Sequence, residues 1–197
     1  MNITAILLAA GSSSRMGRSK QLLTVEGQPL LMRAVQAAIH SKCSHTLVVL
    51  GSGEERHRKI IQTLPVQIVY NDAWNKGIGS SIKAGMHALA QPSPDGVIIL
   101  VCDQPLLGPE HIDALIHTHR KTGNPIVASS YKGTVGVPAF FNQMFFDPLM
   151  LLEDAAGAKK IIQQNQQVVS SIDFPGGEID LDTPEDYESF NRKYSGA

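Results

Sequence analysis

Apolar positions along this chain follow two rhythms. Short runs rich in β-branched residues, "ITAILLAA" (3–10), "HTLVVLG" (45–51), "VQIVYN" (66–71), "GVIILVCD" (96–103), "NPIVASSY" (124–131) and "QVVSSIDF" (167–174), read as strands. Several are apolar without alternation, the pattern of strands covered on both faces. Between them "PLLMRAVQAAIHSK" (29–42) places Leu31, Ala34, Val35, Ala38 and Ile39 on one helical stripe. The segments "EERHRKIIQTL" (54–64), "SSIKAGMHALAQ" (80–91), "PEHIDALIHTHRK" (109–121), "AGAKKIIQQNQ" (156–166) and "PEDYESFNRKY" (184–194) carry the same helical period. Pro109 and Pro184 stand where a first helical turn tolerates proline. Thr183, with Asp186 following, reads as an N-cap.

The alternation of strand and helix predicts an α/β fold: a Rossmann-like, three-layer α/β/α sandwich around a mostly parallel sheet. No internal repeat, low-complexity tract or linker-like stretch divides the chain, so one domain over residues 1–197 is expected. In such folds ligands bind at the carboxyl ends of the strands, near the point where strand order reverses.

Composition narrows the function. A hydrophobic fraction of 43% suits a well-filled core, and a formal net charge of −1 offers no bulk attraction to nucleic acid or an anionic membrane. Binding of an anion therefore needs a local site. No segment approaches the roughly 20 apolar residues of a membrane span, and the start "MNITAILLAAG" lacks the basic region and cleavage site of a secretory signal. Cys43 and Cys102 lie beside apolar stretches and far apart, which reads as buried free thiols in a reducing compartment. A cytoplasmic location is expected.

The chemistry concentrates after the first strand. In "LAAGSSSRMGRSK" (8–20) an apolar run stops at four consecutive small residues, Gly11 to Ser14, and two cations, Arg15 and Lys20, follow. Ala9, Ala10 and Gly11 let a ligand lie against the main chain, whose N–H groups form an anion nest. Arg15 suits forked contacts to phosphate oxygens, and Lys20 acts more as a point charge. The spacing is neither the dinucleotide fingerprint nor the P-loop. A plain Gly/Ser loop with solvated cations has the same composition.

The stretch "LAAGSSSRMGRSKQLL" resembles the signature of the nucleotidyltransferase family that includes molybdenum-cofactor cytidylyltransferases. Leu8, Ala9, Ala10, Gly11, Ser13, Arg15, Met16, Gly17, Lys20, Leu22 and Leu23 all fall in place. The resemblance continues through "NDAWNKGIGSSIKAG" (71–85), "VCDQPLL" (101–107), "GVPAFF" (136–141) and "IDLDTPEDY" (179–187), in the family's order. Two positions depart from it. Val137 stands where histidine is frequent, and "EDAAGAK" (153–159) has an extra residue and Lys159 in place of arginine.

The resemblance implies transfer of CMP from CTP to the terminal phosphate of a pterin-type molybdenum cofactor, with Mg²⁺ as cofactor and a recipient molybdoenzyme as partner. It implies nucleotide contacts from Leu8, Ala9, Ala10, Gly11, Arg15, Lys20, Asn71, Gly77, Ser80 and Ser81. Arg15, Lys20 and Asp103 would be catalytic, with Asp103 and Asp182 holding the metal. Read on its own, Asp103 at a strand end is equally a turn or cap residue. In an extended "DLD", Asp180 and Asp182 share one face; the resemblance favours Asp182. Ser80 and Ser81 suit either a base or ribose contact or the N-cap of a helix over 82–91. Asn71 suits a nucleotide contact or a turn, and Trp74 a ligand cover or packing. Of the seven histidines, His117 and His119 form the closest pair and read as a solvated helix face.

Overall fold

The first apolar run forms β1 (Ile3–Ala9), and every residue in it is buried. Its side chains divide by parity, as a pleated strand dictates. Ile3, Ala5, Leu7 and Ala9 enter one hydrophobic core, while Ile6 and Leu8 enter another on the opposite face. The computed structural model describes residues 1–194, with Arg15 described by its backbone alone.

After β1 come a short hairpin, β2 (Thr24–Val25) and β3 (Gln28–Pro29), and then α1 (Leu30–Ile39), β4 (His45–Leu50), α2 (Glu54–Ile61) and β5 (Gln67–Tyr70). The chain continues through α3 (Ile78–His87), β6 (Gly96–Val101), α4 (Pro109–Thr122), β7 (Ile126–Tyr131) and β8 (Thr134–Asn142). It closes with α5 (Phe146–Met150), α6 (Ala158–Gln164), β9 (Val169–Asp173) and α7 (Pro184–Tyr194). Seven strands form one sheet in the order β5-β4-β1-β6-β8-β7-β9. Only β8 runs against its neighbours. Side chains of α1, α2 and α4 fill the core on one face; those of α3, α5 and α6 fill the other. This is the expected three-layer α/β/α sandwich with a mostly parallel sheet. Strand order reverses at β1, which pairs with β4 on one side and β6 on the other.

Strand β8 departs from the sequence reading, which treated "GVPAFF" only as a motif. A proline inside an apolar run argues against a strand because it cannot donate to the ladder. Here the β7–β8 register passes from Ala128↔Ala139 to Ser129↔Gly136, leaving Val137 and Pro138 unpaired at a bulge. The missing N–H therefore breaks no ladder bond.

A third core lies at the carboxyl end of the sheet. Met16, Leu23, Val25, Leu30, Leu181 and Phe190 cluster there, so the loop after β1, the hairpin and α7 share one apolar anchor. Tyr187 Oη also donates to the Thr24 carbonyl at 2.6 Å. Burying Leu181 stabilises this junction by about 1.5–3 kcal/mol. It also fixes the flanking Asp180 and Asp182 near β6, with the Leu181 N–H 3.4 Å from the Asp103 carbonyl.

The histidine pair needs correction. His117 is exposed, but His119 packs on Phe140 with ring centroids 4.3 Å apart, its Nδ1 2.8 Å from the Asn124 carbonyl. Residues two apart on a helix face different directions, so only one of the pair can be solvated. Cys102 is buried and Cys43 half-buried, and burial pushes their thiols up to about 12 and about 11. Among the described residues no helix is long and apolar enough to cross a membrane.

His111, on α4, yields a pH prediction. Its ring stacks on Phe174 at 4.2 Å, and its Nε2 lies 2.7 Å from Ser129 Oγ. That hydroxyl's proton goes to the Pro138 carbonyl, so the histidine must donate. Burial holds the His111 pKa down at about 4, below its ordinary 6.5. Below the ordinary value the unfolded chain takes up a proton that the fold refuses, so stability falls as pH drops toward 4 and is unaffected well above 6.5. Between pH 7 and 5 (about the middle of that window) the loss in Tm should be smaller in His111→Gln than in the unsubstituted chain. Equal losses in thermal denaturation would remove His111 as the source.

Candidate active site

A cleft of about 400 Å³ opens at the carboxyl ends of β1 and β6. Leu8, Ala9, Ala10 and Gly11 form one wall, Trp74, Gly77 and Ser81 another, and Lys20, Asp103 and Asp182 line it as well. Apolar β1 ends at Ala9, and the small residues after it leave the main chain open to the cleft. Ser13 takes a left-handed conformation with φ 56° and begins a 3-10 turn over Ser14–Met16 that Gly17 ends with φ 67°. Met16 is buried in the third core and anchors that turn. The Arg15 side chain lies outside the described residues. A second 3-10 turn, Lys20–Leu22, places Lys20 at its start.

The Lys20 ammonium joins two distant carboxylates. Its Nζ lies 2.9 Å from Asp103 Oδ2 and also bonds Asp182 Oδ1. Burial alone would lower the Lys20 pKa. The Asp103 charge, with hydrogen bonds to Asp182 and Asp103, more than offsets this, and the net shift is upward. Asp180, two residues before Asp182, is exposed and lies outside the cleft lining. Local burial first, then the Asp103 and Asp182 charges, push its carboxyl up to about 6. Of the two candidates in "DLD", Asp182 is the one that contacts Lys20. The segment has no regular strand here, and the buried Leu181 directs its neighbours instead.

Gln21 escaped the sequence reading. It is 2% exposed, and its Nε2 donates to the carbonyls of Ala9 at 3.2 Å and Gly11 at 2.8 Å. Its Oε1 accepts from Ser13 Oγ and Ser19 Oγ. A glutamine between lysine and two leucines carries no sequence signal of such a role. A buried amide with four partners is visible only once the loop has closed around it.

On the opposite wall the expected nucleotide residues separate. Gly77 and Ser81 line the cleft. Asn71 is buried, with Nδ2 donating to Ser80 Oγ and Ser81 Oγ and Oδ1 accepting from Ala73 N–H. Ser80 Oγ lies 2.9 Å from the Ala73 carbonyl and 2.7 Å from the Gly77 carbonyl. Asn71 and Ser80 thus brace the turn into α3, as the turn reading of Asn71 expects. The N-cap reading of the two serines is corrected, since α3 begins at Ile78 with Gly77 as its cap. The reason is a close approach: a Cβ on Gly79 would lie 2.1 Å from the Glu153 carbonyl oxygen. The Gly79 N–H also donates to the Asp154 carbonyl at 2.8 Å. The "EDAAGAK" segment therefore lies over the start of α3, with Lys83 paired to Asp154 and Lys159 exposed.

Next to Asp103, Gln104 is buried and donates to the carbonyls of Val137 at 3.2 Å and Gly177 at 2.9 Å. It ties the end of β6 to the β8 bulge and to the loop that carries Asp180. Tyr131 Oη donates to the same Val137 carbonyl at 3.1 Å.

Residues 5–168 match the family model described as the MobA-like NTP transferase domain. The chain is 30% identical to the purine catabolism protein PucB of Bacillus subtilis, across 98% of both chains. It is 28% identical to the nicotine blue oxidoreductase of Paenarthrobacter nicotinovorans, across 98% of this chain and 95% of that one. It is also 28% identical to a probable molybdenum cofactor guanylyltransferase of Trichormus variabilis, across 94% and 88%. Among solved structures it superposes on the Rv0371c homolog from Mycobacterium sp. strain JC1 with TM-score 0.84 and 25% identity, covering 98% and 96%.

Proposed function

Because the chain belongs to the MobA-like NTP transferase family, and so is a nucleotidyltransferase, we propose that it transfers CMP from CTP to the terminal phosphate of a pterin-type molybdenum cofactor. The observation that carries this reading is the Lys20 ammonium held between Asp103 and Asp182 beside a small-residue loop. An acceptor phosphate oxygen forms a bond to the α-phosphorus, the bond to the β-phosphate bridging oxygen breaks, and pyrophosphate leaves with its electron pair. The product would pass to a recipient molybdoenzyme.

The donor set fits a hard divalent cation such as Mg²⁺. Two carboxylates converge on one point, and no group of three or more metal-ligating side chains exists among the described residues. Such a cation takes its remaining ligands from water and phosphate. Asp103 and Asp182 would hold it, and when bound it supplies neutralisation of phosphate charge. The chain's own groups do the rest. The loop after β1 positions the triphosphate through backbone N–H groups, and Arg15 extends that cradle by analogy with the family. Lys20, held by the two carboxylates, stabilises the charge growing between the α-phosphate and the leaving pyrophosphate. Gly77 and Ser81 border the nucleotide, with Trp74 lining the same cleft. Little covalent help is needed when two repelling anions are aligned.

GTP as donor is the second reading, favoured by the name of the Trichormus relative. Ala10 bears on the choice: it is buried at the cleft wall, and guanylyl-transferring members of the family resemble one another in having glycine there. Removing that methyl in Ala10→Gly should shift the CTP-to-GTP preference toward GTP by about tenfold or more, since one methyl in a fitted pocket is worth about 1–3 kcal/mol. Steady-state kcat/KM for both nucleotides checks this, and an unchanged ratio would remove Ala10 from base selection. The primary test is pyrophosphate release with Mg²⁺ and molybdenum cofactor, with CTP and GTP in parallel. Release with CTP alone supports the proposal; release with GTP alone supports the second reading. Release with neither overturns the acceptor.

A further inference from the structure

We propose that Gln21 is a positioning residue that sets the peptide planes of the loop after β1, and that its own orientation is set by His57 on α2 through Ser19. This deepens the proposed function and rests on the loop being the triphosphate cradle. Gln21 donates to two carbonyls, Ala9 and Gly11, so the atom facing the serines is its oxygen. Ser19 Oγ is 2.8 Å from that oxygen and must spend its single proton there. His57 Nε2, 2.7 Å from Ser19 Oγ, must then be the donor. His57 is 1% exposed, and its Nδ1 is buried without a partner among the described residues. A proton on Nδ1 would find no acceptor, so the ring has one workable tautomer and Ser19 one workable direction. Burial, then the Arg56 charge, hold the His57 pKa below its ordinary value, in keeping with a neutral ring.

The consequence reaches the cleft. In a trans peptide the C=O of one residue and the N–H of the next point in opposite directions. Fixing the Gly11 carbonyl on Gln21 therefore turns the Ser12 N–H to the other side, and Ser12 lines the cleft. Ser13 Oγ, 3.2 Å from Gln21 Oε1, accepts from the Lys20 N–H at 2.9 Å. The same amide thus ties the small-residue loop to the turn that carries Lys20. None of these groups needs to touch the reacting atoms.

Hydrogen exchange on the free protein tests the positioning role without any nucleotide. The Met16 and Lys20 amides, which donate to the Ser13 carbonyl and to Ser13 Oγ, should exchange roughly tenfold faster in Gln21→Met, which keeps the volume but loses the polar partners, the weight of about one net hydrogen bond. His57→Leu should show the same effect. His57→Gln, which can present a donor near the Nε2 position, should restore slow exchange. Calorimetry with CTP and GTP, without acceptor, should show the dissociation constant raised about tenfold in Gln21→Met and His57→Leu and restored in His57→Gln. If Gln21→Met does not fold, Ser19→Ala at its half-buried position reads the same link. Unchanged loop exchange in the folded variants overturns the inference, as does failure of His57→Gln to differ from His57→Leu. Failure of the unsubstituted chain to bind either nucleotide would overturn the functional reading instead, leaving the exchange result to decide the role of Gln21.

Discussion

Lys20→Ala should lose on the order of 10²–10³ in kcat, the typical cost of one preorganised charge donor aimed at developing negative charge. The Lys20 Nζ is part-buried and already bonded to both acidic groups of the cleft, so its position is set before substrate arrives. The kcat should fall much further than KM rises, because the interaction strengthens as charge moves to the leaving pyrophosphate. Lys20→Arg should recover little, since a planar fork does not replace a compact ammonium between two carboxylates. The substitution also removes the cation that Asp103 and Asp182 share. The Tm of Lys20→Ala should therefore rise more on adding a divalent cation than that of the unsubstituted chain. Single-turnover kinetics and thermal denaturation with and without Mg²⁺ read the two effects. Near-normal turnover would remove Lys20 from the chemistry.

Asp103→Asn should be as severe, with a loss on the order of 10³ in kcat/KM, equivalent to about 4 kcal/mol of transition-state stabilisation. The carboxylate stands at the end of the strand next to β1 and faces the same ammonium. An amide there keeps the shape and the turn but can neither balance Lys20 nor serve a hard cation well. Asp182→Asn should behave similarly. Asp180→Asn should cost less than about tenfold, because its carboxyl is exposed and the Lys20 ammonium bonds Asp103 and Asp182 instead. Pyrophosphate release by the three variants, over a range of Mg²⁺ concentrations, separates them. A loss in Asp180→Asn equal to that in Asp182→Asn would make both carboxylates part of the site.

The layered fold and one wall of the cleft were legible in the chain itself. The continuous apolar run of β1 and the 3.6-residue stripe of α1 are local patterns, and local patterns state which face of an element is buried. The loop after β1 was legible for the same reason: small residues and cations at short spacing need no distant partner to be seen. Strand β8 was not, because Pro138 spoke against a strand and only the bulge beside Ala139 makes it harmless. Nor was the start of α3, where contact with residues 153–156 requires the glycine at 79 and places the two serines inside the helix.

Local sequence thus determined six of the seven strands of the sheet, the helical layers on its two faces and a small-residue loop with cations at a strand end. Tertiary structure alone decided which carboxylates meet Lys20, since Asp103 and Asp182 lie 83 and 162 positions away along the chain. It also decided that Gln21, unremarkable in sequence, becomes the buried brace of the loop, and that Asn71 and Ser80 turn into a supporting network. The physical reason is common to all of these. A charge or an amide acquires its role from what surrounds it after burial, and burial brings together groups that no spacing along the chain records.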